Sequence, residues 1–257
     1  MFRMLVLLVL CFVTTVFLAN AHEGEKNPKA GWEALAELQN GNMRFFEGKQ
    51  KHPRQDSEKR EKLVSGQNPQ TILVSCSDSR VPPEEIFDQG LGDIFSIRVA
   101  GNVANPDELA SIEYAIEHVG SRLLIVMGHE SCGAVAAAVK FEKGVSNGSE
   151  NLDHLVGKIF DQISSSAISN ANTDKTMRMA VKENVSATLR EIYKNSAIVR
   201  EAVEKKGLVL GQAVYSLKSG RVEFWNVGKA ISLKKEESSG PVIEEEHVHS
   251  EMIEKKP

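Results

Sequence analysis

Short apolar runs alternate with amphipathic segments along most of this chain. The runs at 71–75, 94–99, 123–127 and 208–217 predict buried strands, and 222–225 follows the last of them after a Ser-Gly turn. Helical spacing or helix-start signals fall between them. Such alternation is typical of a parallel sheet covered by helices and joined by right-handed crossovers. We therefore predict an α/β fold: a central, mostly parallel four-stranded sheet with an antiparallel edge strand, helices on both faces and an N-terminal helical arm.

The helical segments differ in how clearly the pattern marks them. Segment 106–119 has a regular apolar stripe, 179–203 predicts one long helical region, and 143–175, with weak periodicity, is expected to be loosely helical. Segment 28–46 predicts the arm. Asn40-Gly41 is expected to interrupt it, and its inner face is expected to carry Trp32, Leu35, Ala36, Met43 and Phe46.

The first 21 residues predict a signal peptide. An apolar run follows Arg3, and Ala19-Asn20-Ala21 provides the small residues of a signal-peptidase site, so the mature chain is expected to begin at His22. The run of about 16 residues is short for a spanning helix. We expect an exported protein, periplasmic or secreted, with no membrane attachment after cleavage. An uncleaved N-terminal anchor is the alternative.

The remainder fits one domain over 22–233, followed by a charged tail over 234–257. The tail lacks aromatic residues and is expected to be disordered. Without the leader the chain carries 30 basic and 35 acidic side chains, and no basic stripe with interleaved aromatics is present. Nucleic acid is therefore not an expected partner.

Loss of the leader also removes Cys11, which leaves Cys76 and Cys132 as the only cysteines. In an exported protein such a pair could form a disulfide. Both residues, however, lie at the ends of predicted central strands, where a packed sheet already holds the chain. A disulfide also leaves His129, three residues before Cys132, without a role. A metal site is the favoured interpretation.

Cys76 follows the first predicted strand, and His129 and Cys132 follow the third. If those strands are neighbours, their carboxyl ends bring two thiolates and an imidazole together, the ligand set of a zinc site with an open fourth position. Asp78 can hydrogen-bond a zinc-bound hydroxide, and Arg80 can hold Asp78 ionised and away from the metal. Without Arg80, Asp78 could become the fourth ligand and close the site.

At these residues the chain resembles the β-class carbonic anhydrases. The resemblance extends over about residues 30–230 and is carried by 34–45, 75–82, 98–102, 111–115, 128–135, 211–215 and 219–220. It implies reversible hydration of carbon dioxide to bicarbonate and a proton by zinc-bound hydroxide. It also implies one Zn²⁺ per subunit, held by Cys76, His129 and Cys132, with Asp78 and Arg80 as the catalytic dyad.

The resemblance further implies that Gln67 donates a hydrogen bond to substrate across a subunit interface and that Phe95 and Tyr114 line the substrate pocket. A homodimer or homotetramer with the site at the interface is expected. Two alternatives stay open. The same scaffold could hydrolyse carbonyl sulfide or carbon disulfide. A non-catalytic zinc-binding or thiol-redox protein is also possible, although it gives Asp78, Arg80 and Gln67 no role.

Overall fold

A five-stranded sheet forms the centre of the computed structural model, which describes residues 28–142, 144–164 and 174–228. The strands are β1 (Thr71–Ser75), β2 (Ile94–Arg98), β3 (Leu123–His129), β4 (Val209–Tyr215) and β5 (Val222–Trp225). Their order is β2-β1-β3-β4-β5; the first four are parallel and β5 is antiparallel to β4. The predicted sheet is confirmed. The predicted leader and tail lie outside the described residues.

Eight α-helices are described around this sheet, together with 3₁₀ turns at Leu63–Ser65 and Ala100–Asn102 and a π-helical turn at Ala115–Val119. The helices are α1 (Pro28–Phe46), α2 (Ser57–Lys62), α3 (Pro83–Ile86), α4 (Pro106–Tyr114), α5 (Gly133–Val139), α6 (Glu150–Phe160), α7 (Asp174–Asn195) and α8 (Ala197–Lys205). Among these helices, none is both long and apolar enough to cross a bilayer.

Helices cover both faces of the sheet, as predicted. Tyr215 of β4 makes a ring contact with Phe45 of α1, whereas Gln212 of the same strand accepts a hydrogen bond from Ser186 of α7. Residues an odd number of positions apart in a strand point to opposite faces, so α1 and α7 lie on opposite sides. The central strands β1 and β3 are completely buried, which explains their continuous apolar sequence.

The expected interruption of α1 at Asn40-Gly41 is wrong, because the helix is continuous from Pro28 to Phe46. A Cβ on Gly41 would lie 1.7 Å from the Phe87 carbonyl oxygen, so the glycine permits close packing instead of ending the helix. The expected inner face is also partly wrong. Leu35 is buried, but Trp32 and Met43 are exposed, as are Ala36 and Phe46. The backbone of α1 approaches other segments most closely at Gly31 and Gly41, and the spacing of large apolar residues does not indicate these positions.

The predicted single helical region at 179–203 is two helices. Ser196 separates α7 from α8, and its hydroxyl accepts a hydrogen bond from the Val199 amide as an N-cap. The same hydroxyl donates to Glu113 at 2.6 Å, which ties the break to α4. The loosely helical segment 143–175 contains α6, while residues 165–173 and Lys143 are not described.

Candidate metal centre and active site

Three potential metal ligands meet at the carboxyl-end edge of the sheet. Cys76 follows β1, His129 ends β3, and Cys132 is the N-cap residue of α5. Their ligand atoms all lie within 4.8 Å of one another, and all three residues are buried. Both thiols are free, with the two Sγ atoms 4.0 Å apart. The parallel pairing of β1 with β3 therefore brings Cys76 close to His129, which lies 53 positions further along the chain.

The imidazole of His129 is oriented for metal binding. Its Nδ1 lies 2.9 Å from the carbonyl oxygen of Glu130. A carbonyl oxygen can only accept, so Nδ1 carries the proton and a neutral ring has its lone pair on Nε2. That Nε2 is buried and has no hydrogen-bond partner among the described residues. An orphaned buried nitrogen beside two thiols fits a zinc ion, which this donor set would bind through one nitrogen and two sulfurs.

The two thiols are electrostatically coupled. A hydrogen bond with Cys132 lowers the pKa of Cys76, and the amides of Asp78 and Gly101, each 3.4 Å from Sγ, lower that pKa further. The neighbouring Cys76 sulfur and burial raise the pKa of Cys132. Without a metal, the pair therefore favours one thiolate and one thiol. A divalent cation would stabilise both sulfurs as thiolates.

Asp78 and Arg80 form a bidentate ion pair at the edge of this cluster. Arg80 donates from Nε to Oδ1 at 2.9 Å and from Nη2 to Oδ2 at 2.7 Å, and its backbone amide also donates to Oδ1. The Arg80 guanidinium holds the pKa of the Asp78 carboxyl well below its usual range. Asp78 Oδ2 lies 3.9 Å from His129 Nε2. An ionised carboxylate held by arginine thus stands next to the candidate metal position.

Arg98 fixes the loop that carries Cys76 and Asp78. From the end of β2 it donates to the Cys76 carbonyl at 3.1 Å and to the Asp78 carbonyl at 2.7 Å. Two carbonyl contacts from one guanidinium hold the backbone of this loop. The sequence places Arg98 near the end of a predicted strand and in the segment 98–102 that carries the resemblance, but neither observation predicts these carbonyl contacts.

Three other predicted site residues lie elsewhere in the chain. Gln67 is exposed in the loop that precedes β1, at the edge of the sheet opposite to Cys76. Phe95 belongs to β2, and its ring centroid lies 6.3 Å from that of Tyr114, which is half exposed and packs against His118 at 5.1 Å. The five residues of β1 alone separate Gln67 from Cys76 by about 16 Å. Within one chain, Gln67 therefore does not join the cluster.

Fold and site together define an α/β protein with a buried cluster of two cysteines and one histidine at the edge of a parallel sheet. A sequence model of the family described as carbonic anhydrase matches residues 71–222. The chain is 35% identical over 212 residues to carbonic anhydrase 2 of Mycobacterium tuberculosis. The alignment covers 80% of this chain and 98% of the relative.

Solved structures agree with these sequence matches. The β-carbonic anhydrase CafA of Aspergillus fumigatus shares 28% identity and a TM-score of 0.58, covering 76% of this chain and 90% of that one. One of the tetrameric β-carbonic anhydrases of Sordaria macrospora is 25% identical with a TM-score of 0.58. The match covers 65% of this chain and 85% of that one. This chain belongs to the carbonic anhydrase family, in its β class, and the names of its relatives support carbonate dehydratase activity.

Proposed function

We propose that this protein catalyses the reversible hydration of carbon dioxide to bicarbonate and a proton, with one zinc ion per subunit held by Cys76, His129 and Cys132. The observation that carries the proposal is the orphaned, buried Nε2 of His129, which lies within 4.8 Å of both sulfurs and 3.9 Å from an Asp78 oxygen. Three buried candidate metal ligands thus lie beside a partly exposed carboxylate.

Zinc held by these ligands would supply a Lewis acid that lowers the pKa of a nearby water molecule. The two thiolates offset the charge of the cation, so the surrounding residues must assist. Asp78, kept ionised by Arg80, can accept a hydrogen bond from that water through a carboxylate oxygen and orient it. Because Arg80 engages both oxygens of Asp78, the carboxylate is restrained from becoming a fourth metal ligand and closing the site.

The catalytic proposal is tested by stopped-flow measurement of CO₂ hydration on zinc-loaded protein. Cys76→Ser should abolish zinc binding and activity together. Asp78→Ala should retain zinc and lose activity about 100-fold or more, as expected for a group that assists proton transfer. Activity like that of the wild type in both variants would refute the proposal. Faster hydrolysis of carbonyl sulfide or carbon disulfide than hydration of CO₂ would favour the sister activity. Absence of zinc with a Cys76–Cys132 disulfide would favour a thiol-redox protein.

We also propose a homodimer or homotetramer in which a second copy contributes Gln67 to the site. Gln67 borders a surface cavity of about 450 Å³ whose rim includes Val64, which is 86% exposed, and Leu91, which is also exposed. Exposed apolar residues beside a polar substrate-binding candidate are expected of an interface. The tetrameric assembly of the Sordaria relatives supports the same conclusion.

Complementation between two inactive variants tests this assembly. Gln67→Ala and Cys76→Ser chains, co-expressed with different tags, should form mixed dimers that contain one complete site. At random pairing about a quarter of all sites would then be active. Mixed dimers with no more activity than either parent would exclude a shared site. Light scattering on the wild type measures the size of the assembly.

For location, we propose export with cleavage after Ala21. The support is the sequence of the leader alone. Mass spectrometry of protein from the periplasm or medium should give a chain that begins at His22, and an intact chain in the membrane fraction would indicate an uncleaved anchor.

A further inference from the structure

Glu130, the residue between His129 and the turn to Cys132, is held at several points at once. Its amide donates to the Tyr215 carbonyl at 2.9 Å, and its own carbonyl accepts the His129 Nδ1–H bond. Its carboxylate accepts from the Ser216 hydroxyl at 2.7 Å and from the Arg178 guanidinium at 2.5 Å. The residue that orients the imidazole is therefore attached to β4, to the turn after β4 and to α7.

The two carboxylate contacts differ in strength. The Glu130 side chain is only 18% exposed, whereas that of Arg178 is 58% exposed. Solvent screens the ion pair, so its net contribution is small. The bond from Ser216 is partly buried and involves a charged acceptor, which makes it the stronger constraint. Ser216 is itself fixed by backbone bonds with Arg221 and Gly220 across the β4–β5 turn.

The backbone next to Glu130 needs such support. Ser131 has a φ of 55°, in the left-handed region that a residue with a side chain rarely adopts. A conformation of this kind persists only where the surrounding structure fixes it. Here it turns the chain sharply between two ligands that are three residues apart. A rotation of the Glu130 peptide would move both the carbonyl that orients His129 and the approach to Cys132.

We propose that Glu130 is a positioning residue for the metal centre. Its carboxylate, anchored on Ser216 and Arg178, fixes the carbonyl that holds the His129 ring with Nε2 directed at the two sulfurs. This inference rests on the proposed zinc site and adds to it a residue that touches neither metal nor substrate. Its effect should appear in metal affinity first and in turnover only as a consequence.

The chain offers a matched control. Lys182 and Glu223 form a second ion pair, at 2.6 Å, between α7 and the sheet. Lys182 follows Arg178 by one helical turn, and Glu223 lies on β5, two strands away from β3. Glu223→Ala therefore removes an ion pair between the same helix and the sheet at a distance from the ligands.

The test is the zinc dissociation constant, measured with zinc alone by competition with a chromophoric chelator. Glu130→Ala should weaken zinc binding about tenfold, the low end of the range for residues that support metal ligands, because the backbone carbonyl itself remains. Glu130→Gln keeps an acceptor for Ser216 and should recover most of that loss. Glu223→Ala should bind zinc like the wild type. An unchanged constant in Glu130→Ala, or an equal loss in Glu223→Ala, would overturn the inference.

Two further measurements keep the test decisive. Cobalt(II) in place of zinc should show altered ligand-field absorption in Glu130→Ala and an unaltered spectrum in Glu223→Ala. If Glu130→Ala does not fold, Ser216→Ala removes only one hydroxyl and should still weaken zinc binding several-fold; unchanged binding there refutes the positioning role. A wild type that binds no zinc would instead refute the proposed function, so the two failures are distinguishable.

Discussion

Replacing Gly41 with alanine is expected to destabilise the protein, although alanine is the better helix former. In the middle of an exposed helix this exchange gains about 1 kcal/mol. The added Cβ, however, would lie 1.7 Å from the Phe87 carbonyl oxygen and 2.7 Å from its carbonyl carbon. These are backbone atoms, which cannot rotate away as a side chain can. The cost is therefore at or above the upper end of the ~1–3 kcal/mol typical of overpacking. The net loss should be about 2 kcal/mol.

Gly157→Ala is the same chemical change, but it is expected to stabilise the protein. Gly157 lies within α6, and its nearest neighbour among the described residues, Phe141 Cζ, would be 4.0 Å from an added Cβ. That is ordinary van der Waals contact, so the helix gain of about 1 kcal/mol should remain. Urea unfolding at fixed protein and zinc concentration measures both variants. Gly41→Ala should lower the midpoint by about 1 M, and Gly157→Ala should raise it slightly. A Gly41→Ala midpoint at or above that of the wild type would refute the close-packing explanation for this glycine.

Three further outcomes are expected. Burial opposes ionisation of Asp88, but hydrogen bonds from Arg44 and two backbone amides outweigh it and lower the pKa of that carboxyl. Its contribution to stability should therefore be complete above about pH 4, the usual value in an unfolded chain, and be lost as pH falls below it. Asp88→Asn should flatten the acid side of a urea-midpoint profile, and an equally steep profile would contradict this. Arg98→Met, which removes the bonds to the Cys76 and Asp78 carbonyls, should lower the free energy of unfolding by about 1–3 kcal/mol, as measured by urea titration. Removal of zinc with a chelator should lower stability by about 4 kcal/mol relative to protein at a thousandfold excess over the dissociation constant, and equal melting curves would argue against a folded-state metal site.

The sequence predicts the sheet more accurately than the helices around it, for a physical reason. A strand buried on both faces is a continuous apolar run, so β1 is predicted to the residue and β3 lacks only its last two positions. The contact face of helix α1, in contrast, does not follow from its apolar pattern. Its contact face is defined by how closely Gly41 approaches a carbonyl of another segment, and this depends on tertiary structure that no local pattern contains.

In the candidate site, too, local contacts are predictable from the sequence and contacts between distant segments are not. Asp78 and Arg80 meet because they lie two residues apart on one loop, and spacing alone predicts that contact. The separation of Gln67 from Cys76 follows from the strand between them. The resemblance predicts a shared interface but not this geometry. The sequence around Glu130 does not indicate a role for this residue, because its carboxylate contacts come from two elements more than 40 residues away along the chain.

Assembly of the metal centre depends on one strand pairing. Cys76 comes into position with its loop, and His129 and Cys132 are joined by a short turn, so only the alignment of β1 with β3 brings sulfur to imidazole. In that alignment Ser75 is opposite Met127, which places Cys76 next to the end of β3. A slip of one residue would reverse the face of every side chain in β1 and move Cys76 away from its position beside the end of β3. The continuous apolar sequence does not forbid such a slip by itself. The crossover connections and the pairings with β2 and β4 must therefore fix the register of β1 against β3. Substitutions in these connections and in β2 and β4 should weaken zinc binding before they unfold the sheet.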